Sequence, residues 1–181
     1  MLGFFADFET LKTIPNIPAS SRTFQLPVYA QVGDDLFLSY YTDEQAPGWE
    51  DALALDPAGA MSHMAYAVLR FHDVLYFSCE TYEDDTIREH RLAEFGLKPF
   101  SQYVVEHSAL VERLFDRQEK STIKQQRYPR EARHFIFTMH GHVFELVAAG
   151  FELARGRGSL VDAIAPMVTR RMNGHAAAQQ P

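Results

Sequence analysis

Apolar residues recur along this chain with two periods, and the switches between them outline its elements. Residues 24–41 alternate with period two. Phe24 to Val32 is strand-like, Gly33-Asp34-Asp35 carries turn chemistry and Leu36 to Tyr41 returns, which predicts a hairpin. Pro27 makes its first arm an edge strand or a strand start. A second hairpin is predicted from Met64–Phe71 and Val74–Tyr82 about His72-Asp73, with Ala65, Ala67, Leu69 and Phe71 facing away from Tyr66, Val68 and Arg70. A third runs from His134 to His140, turns near Gly141 and returns from His142 through Ala154.

The helical period appears in three places. Phe4, Phe8 and Leu11, with Phe5 beside them, predict a short amphipathic helix within residues 2–12, an N-terminal arm that Pro15 and Pro18 bring to an end. Pro99 to Lys120 places Val104, Val111, Leu114 and Phe115 on one stripe, with Leu110 at its margin. The last helix opens at Gly158-Ser159 and carries Leu160, Val161, Ile164, Met167, Val168 and Met172. Ser159 and Asp162 form its capping pair, Pro166 a bend and Gly174 a stop. Between these elements lie a long acidic loop, 42–60, holding Trp49, Leu53 and Leu55, and a basic connector, 120–133. A loop of that length is of the kind used as a lid or binding loop.

Without βα alternation or an internal repeat, the pattern predicts an α+β fold: an antiparallel sheet of three hairpins with two main helices packed on one face. Residues 1–174 form a single domain with a short N-terminal arm, and 175–181, with nothing to pack, a disordered tail.

Composition narrows the function classes. The 181 residues, 46% hydrophobic and 23% charged, are enough for one core. Cys79 is the sole cysteine, so an intrachain disulfide and a cysteine-based zinc site are both excluded. No stretch reaches the roughly 20 apolar residues of a membrane span, and the N-terminus has acids where a signal peptide has bases. A cytoplasmic location, away from membranes, is the expectation.

The net charge of −7 argues against nucleic acid as a partner. It is unevenly spread: residues 1–115 hold 7 Lys/Arg against 18 Asp/Glu, and residues 116–181 hold 10 against 6. A chain so divided can associate acidic face to basic face.

Three constellations could carry chemistry. His134, His140, His142 and Glu145 gather imidazoles and a carboxylate about the third hairpin, the ligands of a divalent metal if strand alternation puts them on one face. Arg155, Gly156, Arg157, Gly158 and Ser159 stand where a strand yields to a helix. There glycines, amides and two guanidiniums could receive a phosphate or carboxylate. His63 and His72 accompany Cys79 and Glu80, but Cys79 alternates with Phe77 and Leu75 and reads as a core residue. No serine sits in a Gly-x-Ser-x-Gly elbow.

With an aromatic-rich chain and no catalytic motif, the leading expectation is a non-catalytic binding or accessory protein. It would act through protein–protein contacts, as a homo-oligomer, and need no cofactor. The alternative is a small metal- or anion-dependent enzyme that uses the histidine cluster or the Gly/Arg turn.

Overall fold

The computed structural model describes residues 8–24, 27–44, 63–82, 85–120 and 128–178, with side chains as far as Gly174. Among the described residues the strands are β1 (Thr10–Thr13), β2 (Val28–Val32), β3 (Asp35–Tyr41), β4 (Ala65–His72), β5 (Tyr76–Glu80), β6 (Gln102–Glu106), β7 (Arg133–Met139), β8 (His142–Ala148) and β9 (Gly150–Arg157). The helices are α1 (Ala109–Lys120) and α2 (Leu160–Ala178). Of the features predicted from sequence, most of the arm helix (2–7), Trp49, Leu53 and Leu55, and the end of the tail (179–181) lie outside the described residues.

The fold is α+β with two antiparallel sheets, ordered β1-β6-β7-β8-β5 and β2-β3-β4-β9. They pack face to face. Leu36, Leu38, Tyr40, Ala67, Leu69 and Phe71 from the four-stranded sheet meet Phe135, Phe137, Met139, Phe144, Leu146 and Ala148 from the five-stranded sheet. Successive residues on a strand point to opposite faces, so each sheet presents its alternate residues outward. The outer face of the four-stranded sheet is covered by α2, through Phe37, Val68 and Ile164. Over the outer face of the five-stranded sheet lies the segment bearing Ile87, Leu92 and Leu97, against Tyr103, Val105, Ile136 and Val143.

Two of the predicted hairpins form. β2 turns into β3 at Gly33, φ 58°, and β7 into β8 at Gly141, φ 71°. The second does not: β4 pairs with β3 and β9, whereas β5 pairs with β8. The chain leaves one sheet at His72 and enters the other at Tyr76, bending at Asp73, φ 53°. Its partner strand crosses back between Ala148 and Gly150.

The register makes these four strands one bent ribbon. It runs Ala65↔Arg157 to His72↔Gly150, then Tyr76↔Val147 to Glu80↔Val143. One more residue is spent on the 73–75 side than on the 148–149 side, and the extra residue makes the corner by which strands switch sheets. A hydrophobic pattern reads the same whether a strand doubles back or turns a corner, so the sequence could not separate them.

Two further expectations change. Residues 10–13 are strand rather than helix, paired with β6. The long helix predicted from Pro99 is a strand, β6, followed by α1: Tyr103 and Val105 face one way and Val104 the other, satisfying both sides of a sheet. The helices also do not share a face, since α2 packs on the four-stranded sheet and α1 touches β7 of the other. Finally, α2 continues past Gly174 to Ala178.

Candidate functional site

Across β3, β4 and β9 one outward row of the four-stranded sheet is Phe37, Arg70 and Glu152, with Asp35 two residues along β3 on the same face. Opposite it, α2 repeats Leu160, Ile164, Met167, Val168 and Arg171 on one face, a helical stripe whose last member is a cation. Val161 and Met172, expected in that stripe, are exposed instead.

Asp35 is buried, and its Oδ2 accepts hydrogen bonds from Arg70 Nε at 3.2 Å and Nη2 at 2.9 Å. Arg171 Nε approaches the same oxygen to 2.8 Å, off the line of a linear hydrogen bond. The Asp35 hydrogen bond holds the Arg70 guanidinium above its ordinary value. One buried carboxylate thus ties the end of α2 to the sheet beneath.

Because α2 sits mainly over β2 and β3, the outer face of β9 is only partly covered beside it. Ala154 is small there, and a pocket of about 420 Å³ results. Its floor and walls include Phe37, Val68, Ala154 and Met167; Arg70, Arg170, Arg171 and Glu152 stand around it. An apolar pocket with a few convergent charged groups is the usual form of a small-ligand site.

The predicted anion turn is built differently. Arg155, Gly156 and Arg157 belong to β9 itself, and only Gly158 and Ser159 form the turn. Both guanidiniums are engaged by main-chain oxygens, Arg155 Nη2 with Asn16 O and Arg157 Nη1 with His63 O, each at 2.8 Å. Gly156 serves packing, since a Cβ there would lie 2.4 Å from the Tyr66 hydroxyl across the ladder. Ser159 caps α2 through Asp162 N–H, as its spacing implies.

The predicted histidine cluster divides in two. His140 and His142 lie at the hairpin tip, His140 stacked on Phe100 and His142 on Phe144. His134 is five residues from Met139, the partner of His142, so about 16 Å separates them along the strand. Glu145 and His142 also differ in parity and face opposite ways. Among the described residues no group of three or more His, Cys, Asp or Glu side chains is placed to hold a metal ion.

His134 and Glu145 do come together, on the outer face of the five-stranded sheet. His134 Nε2 is 2.9 Å from Glu145 Oε1, in bent geometry, and Nδ1 is 2.8 Å from Ser108 Oγ. Arg91 closes on the same Glu145 oxygen and reaches Glu9 Oε2 at 2.9 Å. Glu9 in turn accepts the Ala109 N–H at the start of α1. Burial pushes the Glu145 carboxyl up, but the hydrogen bond from His134 and the Arg91 guanidinium outweigh it and hold the pKa at about 2.

Sequence reasoning missed Arg91, Glu9 and Ser108, which come from three separate segments. The absence of glycine around Ser108 concealed a strand–turn–helix corner, in which His107 takes φ 53° between β6 and α1.

Cys79 packs against the inter-sheet core, where burial pushes its thiol up, as expected of a structural cysteine. Among the described residues, no helix is long and apolar enough to cross a membrane. Compared with known proteins, the chain matches no family model, no curated protein and no solved structure.

Proposed function

We propose that this is a ligand-binding domain whose site is the pocket beside α2, and that its ligand is a small amphipathic anion. The observation that carries the reading is the ring of Arg70, Arg170 and Arg171 about an apolar floor in a chain of net charge −7. Asp35 and Glu152 compensate two of those charges, and Arg170, exposed on the rim, stands outside that network among the described residues. A carboxylate or phosphate at the arginines, with a chain or ring over Phe37, Val68 and Met167, satisfies both halves of the site.

Calorimetric titration with decanoate, decyl phosphate and uncharged decanol tests this. Both anions bind and decanol does not, and Arg170→Ala weakens the anions by about tenfold, the size of one charge-assisted hydrogen bond. Equal binding of decanol, or no binding of either anion at millimolar concentration, removes the proposal.

A second reading, association with another copy of the chain, is favoured by one observation. Tyr29 is half exposed on β2, an edge strand, and its ring reaches Phe77 on β5, an edge strand of the other sheet, and Phe144, at 5.4 and 5.7 Å. Edge strands with exposed aromatics invite pairing. Light scattering at tens of micromolar tests it: a mass of 20.6 kDa, that of one chain, ends this reading.

A further inference from the structure

We propose that Ser108, His134 and Glu145 form a second, chemically active site, an acyl-accepting serine that cleaves small esters from the groove between β6, α1 and β7. It lies on the outer side of the five-stranded sheet, opposite the pocket beside α2, and does not depend on the function proposed for that pocket.

The geometry assigns each role. Ser108 Oγ is 2.8 Å from His134 Nδ1, and His134 Nε2 is 2.9 Å from Glu145 Oε1. The Glu145 carboxylate beside Nε2, though the contact is bent, favours the imidazole proton on that nitrogen and leaves the Nδ1 lone pair to the serine hydroxyl. His134 and Glu145 are buried, and Arg91 closes on the same carboxylate oxygen that His134 approaches. The base therefore has no freedom to turn away, as a nucleophile–base–orienter arrangement requires.

The serine is presented at a corner. His107, φ 53°, turns the chain sharply from β6 into α1, the strand–turn–helix disposition that projects a nucleophile in hydrolases built on a glycine elbow. Val111 N–H donates to Ser108 Oγ at 3.2 Å, the capping hydrogen bond that holds the serine at the start of α1. The adjoining groove, about 560 Å³, sets Val104 and Val111 beside Ser108 and His134, with Glu106, Glu112 and Arg133 also in its lining. Ser108 is only 6% exposed, so access is narrow and the substrate is a short acyl ester.

The chemistry closes with water as the sole co-reactant. Ser108 Oγ forms a bond to the ester carbonyl carbon while its proton passes to His134 Nδ1. The carbon–alkoxide bond then breaks, and His134 returns the proton to the leaving alcohol. Water attacks the acyl-serine, losing a proton to His134 Nδ1. The carbon–Oγ bond breaks, the carboxylic acid leaves and Oγ recovers its proton.

The test labels the full chain with a fluorophosphonate, measures p-nitrophenyl acetate turnover and locates the adducts by intact mass and peptide mapping. One adduct per chain, on the peptide holding Ser108, is expected. Ser108→Asn keeps a capping acceptor for α1 but no nucleophile, and it should abolish the adduct and lower p-nitrophenol release at least tenfold. A wild type that takes no adduct, an adduct on another residue, or undiminished turnover in folded Ser108→Asn overturns the proposal. Should that variant not fold, mapping the adduct on the wild type decides by itself.

Discussion

His134 and Glu145 meet diagonally across β7 and β8, Nε2 to Oε1 at 2.9 Å, on the outward face of the five-stranded sheet. Around them Arg91, Glu9 and Ser108 link the N-terminal strand, the segment after β5 and the start of α1. Removing the carboxylate therefore takes one partner from His134 and one from Arg91 at once.

The acid stability of the protein follows from that carboxylate. Its pKa is about 2 in the folded chain against 4.5 ordinarily, so the folded state holds fewer protons than the unfolded one between those values. The stabilisation is fully present above pH 4.5 and is lost as the pH falls from 4.5 through 2. It is on the order of 3 kcal/mol. Glu145→Gln should lose it at neutral pH and show a shallower acid limb in urea titrations from pH 7 to 2. Parallel limbs for wild type and variant would show that Glu145 is not the group responsible.

Asp35 should matter more to stability than any arginine near it. It is buried and receives two guanidiniums, whose side chains are 37% and 35% exposed. Asp35→Ala frees Arg70 and Arg171 into partial contact with water, so the cost is about 2 kcal/mol rather than the ~3–5 of a fully buried pair. Arg170→Ala, on the rim, should stay within about 0.5 kcal/mol while weakening anion binding. Urea midpoints beside the decanoate titration read both, and an Arg170→Ala protein with intact affinity contradicts the assignment of the rim.

Gly156→Ala tests whether the glycine serves packing. Its Cβ would fall 2.4 Å from the Tyr66 hydroxyl, which must then move. A loss of about 1–3 kcal/mol is expected, of the size of other overpacked substitutions. In a Tyr66→Ala background the same change should cost much less, because the obstruction is gone. A thermal-melt double-mutant cycle with no coupling would assign the glycine another role.

What the sequence made legible was local. Gly33 and Gly141 marked real turns, and Ser159 with Asp162 marked a real helix start, because each acts on neighbours within a few residues. The corner at Asp73 was read as a hairpin, because its identity depends on pairing with Val147 and Gly150, more than 70 residues away. The site was half legible for the same reason. His134 and Glu145 share a hairpin, whereas Arg91 lies 54 positions from Glu145 and Glu9 lies 82 from Arg91. The arginine pocket depends on where α2 comes to rest across β2 and β3, which no periodicity encodes.

The third hairpin separates packing from ligation in one experiment. Phe137 is fully buried between the sheets, its ring against Phe71 at 5.5 Å, whereas His140 and His142 sit half-buried at the tip and stack on Phe100 and Phe144. Phe137→Ala empties a close-packed site and should cost about 3–5 kcal/mol. Replacing both tip histidines by alanine should cost no more than about 1 kcal/mol, since both sit half-buried at the surface, where His142 loses its ring contact and its bond to the His140 main-chain oxygen. Chelator should leave the wild-type melt unchanged. A metal held by the tip histidines would instead make the double variant and the chelated wild type fall together, by an amount that tracks the metal bound. Melts of the wild type with and without chelator, beside both variants, distinguish the outcomes. A shared loss in the chelated wild type and the histidine variant would make this tip a metal site.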